Sequence, residues 1–325
     1  MQSGTDVESS NPGGPPLGGY RLELSEPVAV GVRRMAQEEV AGALARLAEP
    51  RYDANEALHD ARTRLRKVRA LLRLVQDAVG IEVFETEDSA LKEAISLLDD
   101  ARESYVAVRT VASLRDDFTE VLRPSAFVDL QARLEERHHR ILHHTLREGV
   151  VPQVIDQVQA ASERIDSWPL ELADDRVLER GLRRAYERGY AAMVRAYQPD
   201  DGPSGKAFRA WRREARYLWF QYRVLTAVWP PVLEAMADEQ LRLSTALGVG
   251  KDLGDLMKIV SNSDDLSETP WPRMALRGLA RERRRYLWAG LQPLGQRLYA
   301  ETPDAFRERM RRILDAARGA PVSAH

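Results

Sequence analysis

Arginine recurs at helical spacing in two separate segments of the chain. The first segment reads HDARTRLRKVR from His59, and the second reads KAFRAWRREAR from Lys206. In each, an imidazole or ammonium group is followed by arginine three, seven and ten positions later. A helix turns 100° per residue, so these positions lie along one face and form a stripe of guanidinium groups. Arginine makes bidentate, charge-assisted bonds to phosphate oxygens, so the stripes predict binding of a phosphate-rich anion.

Successive residues of such a stripe lie about 5–6 Å apart, which suits a repeating anionic chain better than one small ligand. Like charges at this spacing destabilise a helix, and one acid alone interrupts each segment, Asp60 in the first and Glu214 in the second. The stripes therefore require an external anion, acids from elsewhere in the fold, or solvation alone. The candidate binding residues on the two stripes are His59, Arg62, Arg66, Arg69, Arg73, Lys206, Arg209, Arg213, Arg216 and Arg223.

The two basic segments belong to a longer internal repeat. Each is followed by a second matching element, LDDARE from Leu98 and LGVGKD from Leu247. The basic segments are 147 residues apart and the second elements are 149 apart. The sequence therefore predicts duplication of a unit of about 150 residues. If the two halves face each other about a pseudo-two-fold axis, the stripes line one channel or groove.

Helical sequence predominates from about residue 27 to residue 318. Apolar residues recur at three- and four-residue steps, and only RLEL at 21–24 alternates as a strand would. Gly and Pro clusters, Gly248–Gly254 among them, divide this region into eight to ten predicted long helices with short connections. Such a pattern favours antiparallel helical bundles, so we expect an all-α fold. The polar, Gly- and Pro-rich ends predict disordered tails at residues 1–19 and 319–325.

Composition restricts the possible functions. The 325 residues include no cysteine, which excludes disulfides, iron–sulfur clusters and cysteine nucleophiles. The formal net charge is −2, so an anion site must come from local segregation of charge. There is no secretory signal pattern, and no apolar run approaches the roughly 18 residues of a membrane span. Glycine-rich phosphate loops and nucleophile motifs are also absent, so we expect a cytoplasmic, non-enzymatic protein without a cofactor or membrane contact.

A histidine cluster in RHHRILHHTLRE carries the spacing of a metal site. His139 and His143 are four positions apart, as two ligands on one helix face would be. No third ligand is evident nearby in the sequence. We therefore predict a position at the surface or at a bundle edge, and no bound metal.

Several charged groups have two possible interpretations. Adjacent acids such as Asp99 and Asp100 are of the kind that a two-metal phosphohydrolase would need, but helix capping explains them as well. Glu103 and Asp252 follow the basic segments and are predicted structural partners of arginines. A further basic run, RERRR at 281–285, either extends the basic surface or is simply exposed.

The two basic segments and the elements that follow them resemble the conserved-histidine α-helical domain, the CHAD family. HDARTRLRKVR and KAFRAWRREARYL resemble its two His-containing helices, and LDDARESYV and LGVGKDL resemble the elements that follow these helices. The resemblance covers about residues 20–318 and implies two pseudo-symmetric four-helix bundles, at about 20–165 and 170–318. It also implies a basic central surface that binds inorganic polyphosphate and, in some members, targeting to polyphosphate granules. By position, the resemblance adds Lys67 to the binding residues.

The sequence departs from the family pattern at four positions that concern affinity. Lys206 replaces the second histidine, and Glu214 stands where a basic residue is common. In the first of the following elements, Asp99 replaces a glycine and Tyr105 replaces an acid. We expect a polyphosphate-binding module. Nucleic-acid binding by the same helices, metal-dependent phosphate hydrolysis and a purely structural adaptor are the alternatives.

Overall fold

The computed structural model describes residues 19–49, 53–118, 120, 123, 125–171, 173–198 and 205–319. Within these ranges every regular element is a helix, so the predicted all-α class is confirmed. The RLEL segment forms no strand. The predicted disordered tails lie outside the described residues, apart from Gly19 and Gly319.

The first predicted half contains α1 (Val28–Ala48), α2 (Ala54–Leu74), α3 (Gln76–Val79), α4 (Ile81–Leu97), α5 (Asp99–Asp117), α6 (Val128–Arg147) and α7 (Val150–Ile165). The second contains α8 (Asp175–Ala196), α9 (Gly205–Val224), α10 (Pro230–Asn262), α11 (Pro270–Leu298) and α12 (Pro303–Gly319). Short 3-10 turns at Thr226–Val228 and Asp264–Leu266 lie before and after α10.

Most helix boundaries follow from local chemistry. The Asp53 carboxylate accepts two backbone N–H bonds in the first turn of α2. Gly80 and Gly149 take φ values of 79° and 92° between consecutive helices, a conformation that glycine adopts without steric cost. Pro230 and Pro270 begin α10 and α11, where proline loses no helical hydrogen bond. The predicted breaks at these places are confirmed.

The break predicted at Gly248–Gly254 is wrong, because α10 runs through it without interruption. The glycines instead allow side chains of α9 and α11 to approach the helix closely. A Cβ on Gly250 would lie 2.5 Å from Trp288 Nε1, and a Cβ on Gly254 would lie 2.9 Å from Arg284 Nη1. Tertiary packing thus outweighs the low helix propensity of glycine.

Corresponding helices of the two predicted halves make similar contacts. In the first half α1 packs on α2 and α7, and α5 packs on α6. In the second half α8 correspondingly packs on α9 and α12, and α10 packs on α11. The halves meet through α2 with α9 and α5 with α10. One hydrophobic core extends through both halves. The duplication itself stays a prediction, but the four helices at this junction are those that carry the repeated motifs.

The apolar face of α2 faces this core. Leu58, Leu65, Val68 and Leu72 are buried, as their spacing predicts. Among the helices of the described ranges, none is long and apolar enough to cross a membrane.

Candidate anion-binding site

Basic side chains from both repeated segments meet in a cavity of about 250 Å³ between α2, α5, α9 and α10. We call it the central cavity. α2 contributes His59, Arg62 and Arg66, and α9 contributes Arg212 and Arg216. The other charged residues of the lining are Asp99, Arg102, Glu103, Lys251, Asp252 and Asp255. Six cationic and four acidic side chains face the cavity, so positive charge is in excess.

Arg62 joins α2 to the junction of α4 and α5. Its side chain is buried, with 4% exposed. Nη1 donates to the Leu98 carbonyl at 2.7 Å, and Nη2 contacts the Asp99 carboxylate. These bonds use two of the five N–H donors of the guanidinium group, and its buried Nε has no acceptor among the described residues. Arg62 therefore holds the wall of the central cavity together as well as facing it.

Four other arginines of the central cavity have no such partners. No described carboxylate lies within 4 Å of their guanidinium nitrogens, and they donate no side-chain hydrogen bond to a described residue. The buried Nε atoms of Arg212 and Arg216 are among those left without an acceptor. Burial of an unpaired charge is costly, so this part of the site would gain most from a bound anion. The four are Arg66, Arg102, Arg212 and Arg216.

Burial and mutual repulsion weaken proton binding in this group. The pKa of Arg66 falls to about 9, first because of burial and then because of the positive charges of Arg62 and Arg212. The pKa of Arg216 falls well below its ordinary value, again through burial first, followed by Arg212 and Arg66. Arg66 still carries its charge at neutral pH. The cavity therefore concentrates positive charge in a partly desolvated space, where an anion is attracted strongly.

His59 enters this site as a neutral group. The pKa of His59 falls to about 3, first because of burial and then because of the positive charges of Arg102 and Arg66. At neutral pH the imidazole therefore offers one donor and one acceptor and no charge.

The acids of the central cavity bind mainly to its lysine. The Lys251 ammonium contacts the Asp255 carboxylate and lies 3.3 Å from Glu103 Oε1. The predicted arginine partner of Glu103 is thus wrong, since the partner is a lysine. Asp252 interacts electrostatically with Arg212, but burial raises the pKa of Asp252 and no described cation lies within 4 Å of its carboxylate.

The C-terminal part of the first stripe lines a second cavity, of about 350 Å³, between α2, α4, α8 and α9. We call it the lateral cavity. Arg69 makes two bonds of 2.9 Å to Asp88, and Arg73 makes a third of the same length. Arg213 Nε donates to Glu214 at 2.9 Å. The other charged residues of the lining are Lys92, Arg188 and Arg195.

Residues of the two stripes thus meet as expected, but they are divided between two cavities rather than lining one. The first stripe extends about 21 Å along α2, from His59 to Arg73, which is long enough to pass different neighbouring helices. Its first part faces α5 and α10, and its last part faces α4 and α8. In the second segment, Arg216 faces the central cavity and Arg213 faces the lateral one.

Four predicted residues line neither cavity. Lys67 Nζ donates to Glu39 at 2.7 Å, and both side chains are buried. Lys206 and Arg209 are exposed near the start of α9, and Arg223 is half-buried near its end. Of these, Lys67 has the firmest alternative role, because its ammonium is fixed to α1 by an ion pair inside the protein.

Three cations of the central cavity were missed by sequence reasoning: Arg102, Arg212 and Lys251. A signal for them was present. Arg62 and Arg212 are 150 positions apart, and Arg102 and Lys251 are 149 apart, close to the offset of the second repeated element. The offset of 147 residues aligned Arg62 with Arg209 and so passed over Arg212.

The histidine cluster shows no site chemistry. His139 and His143 are exposed, as predicted, whereas His138 is buried and its Nδ1 lies 3.0 Å from Ser104 Oγ. In the described part of the chain, no group of three or more His, Asp or Glu side chains is placed to hold a metal ion.

Comparison with known proteins supports the fold and identifies the family. The solved structure of PptA from Streptomyces chartreusis is similar to this chain with a TM-score of 0.59. The likeness covers 85% of this chain and 100% of that one at 16% identity, so it concerns the fold alone. No curated protein sequence matches. The family model for the CHAD domain matches residues 34–260, more than half of the chain, and the protein therefore belongs to the CHAD domain family.

Proposed function

We propose that this protein binds inorganic polyphosphate, without catalysis, through the arginines of the central cavity. The observation that carries the proposal is the set of four guanidinium groups that lack carboxylate partners among the described residues. The polyphosphate chain supplies a negative charge at every unit. It can therefore contact several of these groups at once, and each added contact strengthens binding by multivalency and by release of counterions.

The surroundings of the arginines favour polyphosphate over nucleic acid. Binding of a single strand usually relies on exposed aromatic rings on which bases stack. On α9 the side chains of Trp211, Phe220 and Tyr222 are buried in the core. A narrow cavity between four helices accommodates a chain of phosphate groups more readily than nucleotides with their sugars and bases.

The acids of the central cavity support binding rather than hydrolysis. Asp99 contacts Arg62, while Glu103 and Asp255 contact Lys251. Three of the four carboxylates are thus engaged with cations of the cavity wall. A hydrolase would need such groups to position a metal ion or a water molecule.

A titration with long-chain polyphosphate tests the proposal. The test variant is Arg66→Gln/Arg216→Gln, and the control is Arg242→Gln, which removes an exposed arginine paired with Glu239. Loss of two charged contacts should weaken binding by about 3 kcal/mol, roughly 100-fold, and reduce its dependence on salt. Because both arginines are unpaired, the double variant should unfold at no lower urea concentration than the wild type.

Three results would contradict the proposal. The first is that wild type and double variant bind polyphosphate with equal affinity. The second is that single-stranded DNA displaces polyphosphate when both are present at equal concentrations of phosphate charge. The third is that phosphate is released when the protein is incubated with polyphosphate. The second favours nucleic-acid binding and the third favours hydrolysis.

We further propose that residues 20–165 and 170–318 form two pseudo-symmetric bundles. The similar helix contacts within the two halves support this proposal.

We also propose that the protein acts in the cytoplasm, on polyphosphate granules where these form. This proposal follows from the polyphosphate binding proposed above. A fluorescent fusion should colocalise with granules, and the double variant should not. Diffuse fluorescence of both in granule-containing cells would contradict granule association.

A further inference from the structure

We propose that the anion path continues from the central cavity onto a second arginine cluster, Arg209, Arg281 and Arg284, which holds the part of a long polyphosphate chain that leaves the cavity. We call it the exit cluster. The inference rests on the proposed function and adds a subsite to it. Arg281 and Arg284 lie outside residues 34–260, the range matched by the family model.

One side of the path is a row of arginines on α9. Arg209, Arg212 and Arg216 are three and four positions apart, so they lie along one face of the helix. Arg212 and Arg216 line the central cavity, and Arg209 is exposed one turn earlier. The row therefore runs from the cavity to the protein surface without interruption by an acid on that face.

The other side of the path lies on α11, which packs against α10. Arg284 Nη1 lies 2.9 Å from the place that a Cβ on Gly254 would occupy. Gly254 is three residues, about 4.5 Å along the helix axis, from the cavity residue Lys251. The Arg284 guanidinium also lies 4.5 Å from the centre of the Trp288 ring, which fixes its position. The absence of a side chain at Gly254 thus lets this cation lie against the α10 backbone, less than one turn along the axis from Lys251.

The three arginines of the exit cluster lie close together around Trp288. Arg209 Nη1 and the Trp288 ring both lie within 4 Å of the place that a Cβ on Gly205 would occupy. Arg281 is one helical turn from Arg284, which lies over the same ring. Burial lowers the pKa of Arg284, and the charges of Arg281 and Arg209 lower it further. Within the described ranges, no carboxylate lies within 4 Å of any of the three. They form a local concentration of positive charge that nothing in the described structure neutralises.

The neighbouring arginines of α11 differ in this respect. Arg283 Nε lies 3.0 Å from Asp117, and Arg285 makes two bonds to Glu282. The basic run at 281–285 thus separates into paired and unpaired members. Arg285 provides a control, because its removal takes one positive charge from the same helix outside the cluster, as Arg209→Gln takes one from within it.

The cluster predicts an affinity that depends on chain length. A short oligomer such as tripolyphosphate can be held within the central cavity, whereas a long chain can also reach the exit cluster. The experiment compares tripolyphosphate with long-chain polyphosphate for the wild type, Arg281→Gln/Arg284→Gln and Arg285→Gln. The double variant should lose about tenfold in affinity for the long chain and less than twofold for tripolyphosphate. Arg285→Gln should match the wild type for both.

A second variant distinguishes loss of the exit cluster from a local folding defect on α11. Arg209→Gln lies on another helix and should produce the same selective loss for the long chain. Equal losses for both ligands, or no loss for either in these variants, would overturn the inference while leaving the cavity proposal intact. If the wild type binds neither ligand, the proposed function itself is wrong.

Discussion

Substitution of Lys67 by methionine separates a binding role from a structural one. The family resemblance assigns this lysine to the anion, whereas the structure pairs it with Glu39 inside the protein. The exposed fractions are 4% for Lys67 and 5% for Glu39, so removing the lysine leaves a buried carboxylate. Breaking a buried pair costs about 3–5 kcal/mol. Arg64 Nη1 remains 3.0 Å from Glu39 and partly compensates the carboxylate, so we expect a loss of stability at or just below this range, about 2–3 kcal/mol.

The pKa of Lys67 supports this interpretation. It lies below its ordinary value, first because of burial and also because of the charges of Arg64 and Arg223, although Glu39 raises it. The charged pair thus carries a desolvation cost, and replacing both partners by apolar residues should be tolerated. The double variant Lys67→Met/Glu39→Leu should regain most of the stability that Lys67→Met loses.

Urea unfolding and polyphosphate titration measure the two effects on the same samples. Lys67→Met should unfold at a lower urea concentration, and its affinity under native conditions should remain within twofold of the wild type. A tenfold loss of affinity with unchanged stability would refute this reasoning and restore Lys67 to the binding site.

Two further predictions concern the pH response and the packing of the helices. His59 has a pKa near 3 when folded and about 6.5 when unfolded, so its neutral form favours the folded state and this contribution falls as pH drops from 6.5 towards 3. At pH 5 the free energy of unfolding should be about 2 kcal/mol lower than at pH 8 because of His59 alone. Urea unfolding of His59→Gln should lack this part of the pH dependence. If the free energy of unfolding of the variant varies with pH as it does in the wild type, the burial argument is contradicted. Gly181→Ala places a Cβ 2.0 Å from the Leu74 carbonyl oxygen, which is backbone and cannot turn aside. We expect destabilisation of about 3 kcal/mol or more, and a melting temperature equal to that of the wild type would show that α2 and α8 can separate at little cost.

Much of the fold could be predicted from the sequence because helix signals are local. Gly80 and Gly149 end helices through their own backbone conformation, and Pro230 begins one. Gly248 and Gly254 could not be interpreted in this way. Their role depends on side chains of other helices that approach α10, and no local pattern reports such an approach.

For the candidate site, the sequence could predict the types of residue that line it but not their arrangement. The spacing of Arg62 and Arg66 correctly placed both on one face of a helix. Which neighbours that face would meet depended on how α2 lies against the surrounding helices. For the same reason the partners of Lys67 and Arg69 could not be foreseen, since Glu39 and Asp88 lie on other helices, 28 and 19 residues away.

The unpaired arginines of the central cavity also bear on how long the protein persists in a cell. Their mutual repulsion opposes folding when the cavity holds no anion. A ligand that binds the folded form alone at 100 times its dissociation constant adds about 2.7 kcal/mol of stability. Since proteases act on the unfolded fraction, a polyphosphate-binding protein of this design would be cleared faster when polyphosphate is scarce. The repulsion between Arg66, Arg212 and Arg216 would in this way link protein abundance to the supply of its own ligand.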